Sequence, residues 1–299
     1  MIKWGQACIL TFKKALHYLG YEIHRIESCS PKKAQPLITE PPPINPVWPL
    51  PRRSGGPSDE EIRIEFAKYD LWHYAYKFDG GLSFSASHNN PGLLADAPNR
   101  PLQRFRHFMP YLIEAQNGSL RGKRILDIAC NSGFWSIQCA LLGAEVVGFD
   151  ARVELIEQAN LIKSIVGVNN IEFRVLDFWD LSPQFLGGTF DIVLNLGILY
   201  HLPKPLEALQ LTKSMAREYI LLDTVVYPSN DSVIKLHWEE PNDIRSASSS
   251  GIVANPSKSS IDLMLKHIGV ADWFEIPIRT TDMPRDYLDH RRASWLIKV

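Results

Sequence analysis

A short loop with one glycine follows an apolar run near the middle of the chain and has the residue types of a ligand-binding turn. The run RILD ends at Asp127, and the loop continues with the spacing Asp127-x-Ala129-x-Asn131-x-Gly133. Glycine tolerates a positive φ angle, and asparagine is among the few other residues that do. The loop can therefore turn tightly. A pyrophosphate-binding loop normally needs more glycines, so this spacing disfavours a dinucleotide.

Two further acidic residues end strand-like runs downstream of this loop. Asp150 ends VVGFD, where a carboxylate can accept hydrogen bonds from both hydroxyls of a ribose. Asp177 ends IEFRVLD, where it can accept from an exocyclic amine, and Phe178 after it can pack on an adenine face. Together these groups fit an adenosine without phosphates, joined to a group that enters under the loop at Asp127. S-adenosylmethionine (SAM) is such a molecule.

The elements that must position these residues alternate between strand and helix from residue 123 onward. The strand candidates are 124–128, 145–150, 171–177, 190–197, 219–226, 273–281 and 292–299. The helix candidates between them are 152–165, 204–216 and 259–269. This alternation predicts an α/β fold, a doubly wound, mostly parallel, Rossmann-like sheet of seven strands whose last two suit antiparallel pairing.

The chain divides into three predicted regions. Residues 1–57 combine an N-terminal helical extension with a proline-rich linker, 58–121 form a helical lid or substrate region, and 122–299 form the ligand-binding domain. Ser58 and Glu61 match a capping box, which predicts a helix from there towards Gly80 and Gly81. A second helix is predicted over 101–115. The polar stretch 227–257 is predicted to be a long excursion, either functional or an ordinary surface loop.

Composition excludes several classes of protein. The net charge of -1 argues against binding nucleic acid through overall charge, although a local patch could still do so. Four scattered cysteines suggest reduced thiols and a cytoplasmic location, and no metal site is predicted. The sequence has no apolar run long enough for a membrane span. The basic, amphipathic segment 1–28 is either a helix that docks on this protein or a second subunit, or a helix that touches a membrane surface.

The segments DIACNSGFWS, VVGFD, VLDFWD and FDIVLNLGILYH, taken in order, resemble the motifs of class I SAM-dependent methyltransferases. The resemblance extends over about 122–227 and implies SAM as the cofactor. It places the methionine part on Asp127 and the loop backbone, the ribose on Asp150, and the adenine on Asp177 and Phe178. Asn195 would lie beneath the sulfonium. The cofactor residues implied are Asp127, Ala129, Cys130, Asn131, Gly133, Asp150, Ala151, Asp177, Phe178 and Asn195.

The segment GILYHLPKPLEAL also resembles the branch that contains the tRNA wobble-uridine carboxymethyltransferases, which use carboxy-SAM. By this resemblance, Tyr200 and Arg292 fall on the positions that read the extra carboxylate. The branch also uses an upstream lysine, and Lys77 is nearby but out of register. We therefore expect plain SAM, with tRNA modification as the alternative.

Methyl transfer is an in-line displacement, so much of the catalysis can come from holding the acceptor against the methyl group. A hydroxyl acceptor also benefits from a base. His201 and Tyr200 follow the fourth strand, and His73 lies in the upstream lid region. Each histidine is also compatible with a purely structural role.

The predicted function is O-methylation of a small-molecule or glycan-type acceptor. The alternatives are a tRNA wobble-uridine-modifying enzyme and a non-catalytic SAM-binding module. A basic run over 100–124 could meet RNA phosphates or an acidic acceptor, or could be a solvated helix face. The substrate candidates are Trp72, Lys77, His237, Arg245 and Arg292.

Overall fold

The structure is a computed structural model, and it describes residues 40–87, 98–239 and 251–299. The predicted N-terminal helix and Arg245 lie outside the described residues. None of the helices in the described part of the chain combines the length and the apolarity that a membrane crossing needs.

A seven-stranded sheet organises the protein. Its strands are β3 (Arg124–Ile128), β4 (Glu145–Asp150), β5 (Ile171–Val175), β6 (Phe190–Leu196), β7 (Ala216–Val225), β10 (Asp272–Glu275) and β11 (Arg292–Lys298). Their order across the sheet is β10-β11-β7-β6-β3-β4-β5. The five strands from β7 to β5 run parallel, while β11 pairs antiparallel with both β7 and β10. The predicted doubly wound, mostly parallel sheet is confirmed.

Helices cover both faces of this sheet because its central strands are apolar on both sides. The helices are α1 (Asp59–Phe66), α2 (Arg100–Ala115), α3 (Phe134–Leu141), α4 (Val153–Val166), α5 (Pro205–Met215), α6 (Lys258–His267) and α7 (Arg285–Leu288). The chain winds from β3 outward to β5 and then crosses to β6 on the other side of β3. The crevice outside the carboxyl ends of β3 and β6 is therefore the expected ligand site.

Upstream of the sheet, helix α1 begins with the capping box that the sequence predicts. Ser58 Oγ accepts from the Glu61 amide at 3.3 Å, and Glu61 Oε2 accepts from the Ser58 amide at 2.7 Å. The helix ends at Phe66, however, so the prediction that it continues to Gly80 is wrong. Trp72 stacks on Phe66 with ring centroids 4.2 Å apart, and its Nε1 donates to the Phe66 carbonyl.

The segment after α1 is extended because its large aromatic residues alternate. Trp72, Tyr74, Tyr76 and Phe78 are all buried, which is the period of two expected of a strand and not of a helix. Part of this segment pairs as a short hairpin, β1 (Tyr76–Lys77) with β2 (Ser83–Phe84). Ahead of α2, the region predicted to be a helical lid is therefore a helix followed by a hairpin.

The upstream segment is joined to the loop after β3 by side-chain hydrogen bonds. Tyr76 Oη donates to the Ser132 carbonyl at 2.8 Å. Gln138 on α3 accepts from the Val47 amide and donates to the Val47 carbonyl, at 2.8 and 3.0 Å. Residues 40–87 therefore support the predicted ligand loop from outside the sheet.

An antiparallel ribbon forms within the described part of the polar stretch 227–257. It pairs β8 (Ile234–Trp238) with β9 (Ile252–Pro256), so a description of this stretch as a plain loop is wrong. Strand β9 packs on the 3₁₀ turn Leu199–His201, while β8 is exposed along its length. The ribbon thus reaches the carboxyl end of β6.

A buried ionic cluster ties the far half of the sheet to α2. Asp223 Oδ1 accepts from Arg104 Nη2 at 2.6 Å and from Arg292 Nε at 2.7 Å. Its Oδ2 accepts from the hydroxyls of Tyr287 and Ser294. Burial alone would raise the pKa of Asp223, but the two guanidinium groups hold it well below its usual range. These contacts join α2, β7, α7 and β11.

Asp223→Asn removes the charge that two buried arginines share, so we expect a loss of about 3–5 kcal/mol in the free energy of unfolding. Asp282→Asn is the matched control, because the Asp282–Arg106 pair is exposed and 3.3 Å long. Its loss should be below about 1 kcal/mol. Urea denaturation measures both. Equal losses would show that the cluster does not stabilise the fold in this way.

Candidate functional site

The loop after β3 adopts the tight turn that its sequence predicts. Ala129, Asn131 and Gly133 have φ angles of 53°, 53° and 82°, so three alternate residues are left-handed. The Cys130 amide donates to the Phe149 carbonyl, and the Gly133 amide donates to the Cys130 carbonyl. The loop backbone is therefore fixed at the carboxyl edge of the sheet, directly before α3.

Gly133 cannot be replaced without a clash. A Cβ atom built there would lie 2.8 Å from Phe173 Cζ and 3.1 Å from Ala159 Cβ, in addition to the strain of its positive φ. The close approach brings the first turn of α3 against β5 and α4.

The carboxylate of Asp127 lies beneath this loop and is 1% exposed. Its Oδ2 accepts from Ser136 Oγ on α3 at 2.6 Å. Burial raises the pKa of Asp127 to about 7, because a charged carboxylate is poorly solvated there. A cation bound at this position would offset that cost.

Asp150 lies at the end of β4 and contacts the same loop. Its Oδ2 accepts from the Asn131 amide at 3.2 Å, and its Oδ1 accepts from the Arg152 amide at 3.1 Å. Burial raises the pKa of Asp150 too, although Arg152 and the backbone amides partly offset this rise. A carboxylate has about four acceptor positions, so Asp150 can still accept from a ligand. Ala151 lies half-buried directly after it.

The predicted adenine region follows β5. Asp177 caps the 3₁₀ turn Phe178–Asp180, and its Oδ1 accepts from the Trp179 amide at 2.9 Å. Phe178 is almost fully buried in the hydrophobic core. The exposed ring beside Asp177 is Trp179, which the sequence analysis did not single out.

The side chain of Asn195 faces helix α5. Its Nδ2 donates to Thr212 Oγ1 on α5 at 3.1 Å. In the β3–β6 register, Ile128 pairs with Asn195 and Asp127 with Leu194. Because neighbouring side chains on a strand point to opposite faces, Asn195 and Asp127 lie on opposite faces of the sheet. The Asn195 side chain therefore supports α5 and does not point towards the loop.

A second group of polar residues lies at the carboxyl end of β6. The rings of Tyr200 and His201 are 4.0 Å apart, and His201 Nδ1 lies 2.7 Å from Glu239 Oε2. The Arg292 guanidinium lies 5.3 Å from the centre of the Tyr200 ring. Gly197 has a φ of 115°, and a Cβ there would be 3.0 Å from Arg292 Nη2. Because residue 197 has no side chain, Arg292 can approach Tyr200.

The two groups lie at the carboxyl ends of neighbouring strands, β3 and β6. Tyr74, from the upstream segment, is buried and interacts electrostatically with both Asp127 and Tyr200. Such an arrangement can hold one ligand at the loop and a second reactant near Tyr200.

Comparison with known proteins agrees with this geometry. A family model described as a methyltransferase domain matches residues 119–252. The N-terminal domain of EvdMO1, crystallised with SAH and D-fucose, superposes with a TM-score of 0.64 over 83% of this chain and 98% of that chain, at 22% identity. Residues 119–252 form a class I methyltransferase domain.

Curated relatives of the methyltransferase domain carry two kinds of name. A tRNA U34 carboxymethyltransferase of Alteromonas mediterranea is 27% identical over 59% of this chain and 52% of its own length. A second enzyme of this name, from Idiomarina loihiensis, is 24% identical over 69% of this chain and 60% of its own length. A ubiquinone biosynthesis O-methyltransferase of Xanthomonas campestris pv. campestris is 32% identical over 41% of this chain and 50% of its own length. The chain thus spans about half the length of the curated relatives it matches.

The predicted acceptor residues of the methyltransferase are only partly brought together. Trp72 is buried against Phe66, so its ring cannot stack on an acceptor. Arg292 is 4% exposed and bound to Asp223, but it does contact Tyr200. His73 packs against Tyr74, at 4.5 Å between ring centroids. Lys77 and His237 are exposed, on β1 and β8.

Three residues near these groups are absent from the predicted site residues. Tyr74 follows the alternation of a buried strand, which only its burial in the structure distinguishes from a helix. Glu239 is 38 residues from His201 along the chain, and no local pattern links them. Trp135, the second residue of α3, is buried, and its Nε1 has no hydrogen-bond partner within the described part of the chain.

The basic run over 100–124 is largely neutralised. Four of its six cationic residues bind carboxylates and a fifth binds backbone carbonyls. The partners are Asp286 for Arg100, Asp223 for Arg104, Asp282 for Arg106, Glu218 for Lys123, and the carbonyls of Leu186 and Thr189 for Arg124. Arg121 is exposed. The run is therefore not a continuous cationic surface.

Ala129→Gly should stabilise the protein, because alanine in the left-handed region is strained by about 1–2 kcal/mol. The greater freedom of glycine in the unfolded chain offsets part of this, so we expect a gain of up to about 1 kcal/mol. Ala140→Gly, inside α3, is the matched control and should cost about 1 kcal/mol or more. Urea denaturation measures both. A loss in Ala129→Gly would show that the Ala129 methyl group is needed.

Asp127→Asn should change the pH dependence of stability. The pKa of Asp127 is about 7 in the folded protein and about 3.9 in an unfolded chain, so only the folded state keeps this proton between those values. The wild-type free energy of unfolding should therefore fall as pH rises from about 4 to about 7, by roughly 4 kcal/mol from this group. The variant should lack that component.

Urea denaturation across this pH range, on both proteins, measures the difference. Ser136→Ala removes a hydrogen bond that lowers the Asp127 pKa, so the fall should extend to higher pH. Identical pH profiles for the wild type and Asp127→Asn would contradict the assignment.

Proposed function

We propose that the protein is a SAM-dependent methyltransferase and that SAM binds in the crevice at the loop after β3. The observation that carries this proposal is the loop itself, with three left-handed residues between two buried carboxylates, Asp127 and Asp150. No basic residue lies within the loop 127–133. A pyrophosphate would be repelled there, whereas a cationic ligand offsets the cost of burying both carboxylates.

The residues present fit SAM in this orientation. Asp127 and the loop backbone would hold the methionine part, Asp150 the ribose, and Asp177 the adenine amine. When bound, SAM supplies an electrophilic methyl group. The chain's own part is to orient the acceptor, exclude water and accept a proton.

The acceptor that we propose is a small molecule or glycan-type molecule with a reacting hydroxyl. Tyr200 and His201 are half-buried at the carboxyl end of β6, so an acceptor can reach them. His73 is a further candidate base on the upstream side. The neutralised run over 100–124 offers little for an RNA backbone, which supports a small acceptor over tRNA.

A second candidate is modification of the tRNA wobble uridine with carboxy-SAM. The names of several relatives and the contact of Arg292 with Tyr200 favour it. The engagement of Arg292 with Asp223 and the exposed position of Lys77 favour plain SAM. A non-catalytic SAM-binding module is the third reading, and the accessible Tyr200–His201 pair supports an enzyme over it.

Calorimetric titration with SAM, SAH and carboxy-SAM tests the proposal. Asp150→Asn removes a charged acceptor of ribose hydrogen bonds, so SAM should bind about 10- to 100-fold more weakly. Asp180→Asn, an exposed aspartate after the third parallel strand, is the control and should bind as the wild type does.

Each other outcome has a definite meaning. Tighter binding of carboxy-SAM than of SAM would move the second candidate to first place. An unchanged affinity in Asp150→Asn would remove Asp150 from the cofactor site. Binding of a nicotinamide dinucleotide instead of SAM would overturn the proposal.

A further inference from the structure

The Tyr200–His201 pair is held from two sides by elements distant in sequence. On one side, the Arg292 guanidinium of β11 lies 5.3 Å from the centre of the Tyr200 ring. On the other side, Glu239 Oε2 lies 2.7 Å from His201 Nδ1. The His201 and Tyr200 rings lie 4.0 Å apart. The four groups therefore lie side by side in the order Glu239, His201, Tyr200, Arg292.

Glu239 is fixed in place by the ribbon. Its amide donates to the Gly251 carbonyl at 2.7 Å, which extends the β8–β9 pairing one residue past Trp238. The Trp238 ring lies directly on Gly251, where a Cβ atom would come within 2.4 Å of it. The ribbon therefore places the Glu239 carboxylate beside His201, although β8 itself is exposed.

The charges that face Tyr200 come from several elements. In the described part of the chain they include His201 beside it, Arg292 of β11, Arg100 of α2 and the phenol of Tyr74 from the upstream segment. Asp223 and Asp286 bind Arg100, Arg104 and Arg292, and Glu239 binds His201, so three guanidinium groups and one imidazole face three carboxylates. An anion at Tyr200 is favoured by this balance.

The expected ionisation states agree with the geometry. Burial alone would raise the pKa of Tyr200, but His201 and Arg292 lower it to about 8, against an ordinary value of about 10. Burial alone would lower the pKa of His201, but Tyr200 and Glu239 raise it. Other buried tyrosines behave in the opposite way, since burial raises the pKa of Tyr74, Tyr76 and Tyr287.

We propose that Tyr200, and not His201, is the group that accepts the proton of the acceptor, and that Glu239 is a positioning residue that holds His201 as a cation beside it. This inference rests on the proposed function and deepens it. A histidine that stays protonated cannot itself act as the base, whereas a phenolate beside two cations can.

The acceptor oxygen forms a bond to the methyl carbon while the sulfur–carbon bond breaks, and its electron pair stays on the sulfur. The hydroxyl proton moves to the Tyr200 phenolate oxygen, which leaves Tyr200 neutral. Tyr200 then returns the proton to solvent, and no oxidant or reductant is needed.

Ultraviolet difference absorbance of the phenolate, followed against pH on the full chain, tests this without an acceptor. We expect one tyrosine to ionise near pH 8, and Tyr200→Phe should abolish that transition. Glu239→Gln keeps the side-chain shape and removes the charge that favours protonated His201. The transition should then move to higher pH, by about one pH unit.

Tyr69→Phe and Glu60→Gln are the matched controls. Burial raises the pKa of Tyr69, and Glu60 is exposed on α1, so both variants should keep the transition near pH 8. No tyrosine ionising below about pH 9, or a transition that survives in Tyr200→Phe, would overturn the role of Tyr200. An unchanged transition in Glu239→Gln would overturn the role of Glu239. Failure of the wild type to bind SAM would contradict the proposed function separately, since the ultraviolet pH titration of Tyr200 does not depend on the cofactor.

Discussion

The carboxylate of Asp223 is the point on which one half of the site depends. Two guanidinium groups and two hydroxyls meet on it in a fully buried position. Such a cluster need not add stability compared with apolar packing, but breaking it leaves charges without partners. Its structural effect is to fix Arg292, and through Arg292 the ring of Tyr200, relative to helix α2. The position of Tyr200 at the carboxyl end of β6 therefore depends on a single anion.

The two groups of polar residues at the carboxyl edge of the sheet have opposite electrical character. Near the loop after β3 the buried charges are the carboxylates of Asp127 and Asp150, whose pKa values burial raises. Near the end of β6, three guanidinium groups and the imidazole of His201 outnumber the carboxylates of Asp223, Asp286 and Glu239. A cationic ligand is favoured at the first group and an anionic oxygen at the second. Both groups interact electrostatically with the phenol of Tyr74.

Most of the fold could be predicted from the sequence because the parallel strands are apolar runs bounded by glycine or polar residues. The loop could be predicted because Asn131 and Gly133 are residue types that accept a positive φ; Ala129 does not belong to those types, yet it adopts the same conformation. The helix after Ser58 was overextended because aromatic residues fit both periods when burial is unknown. The link from Glu239 to His201 and the burial of Arg292 depend on contacts between distant segments. Local sequence carries no signal for such contacts.

The segment ahead of the sheet has a consequence for how the protein can be divided. The matched domain begins at residue 119, but Tyr76 and Val47 hydrogen bond to its loop and to α3. The matched region also ends before β10 and β11, which carry Arg292 and the partner strand of β7. A fragment cut at the family boundaries would therefore expose an aromatic surface and lose the guanidinium that faces Tyr200. The smallest autonomous unit of this chain is larger than its recognisable domain, and expression fragments should start before Glu40.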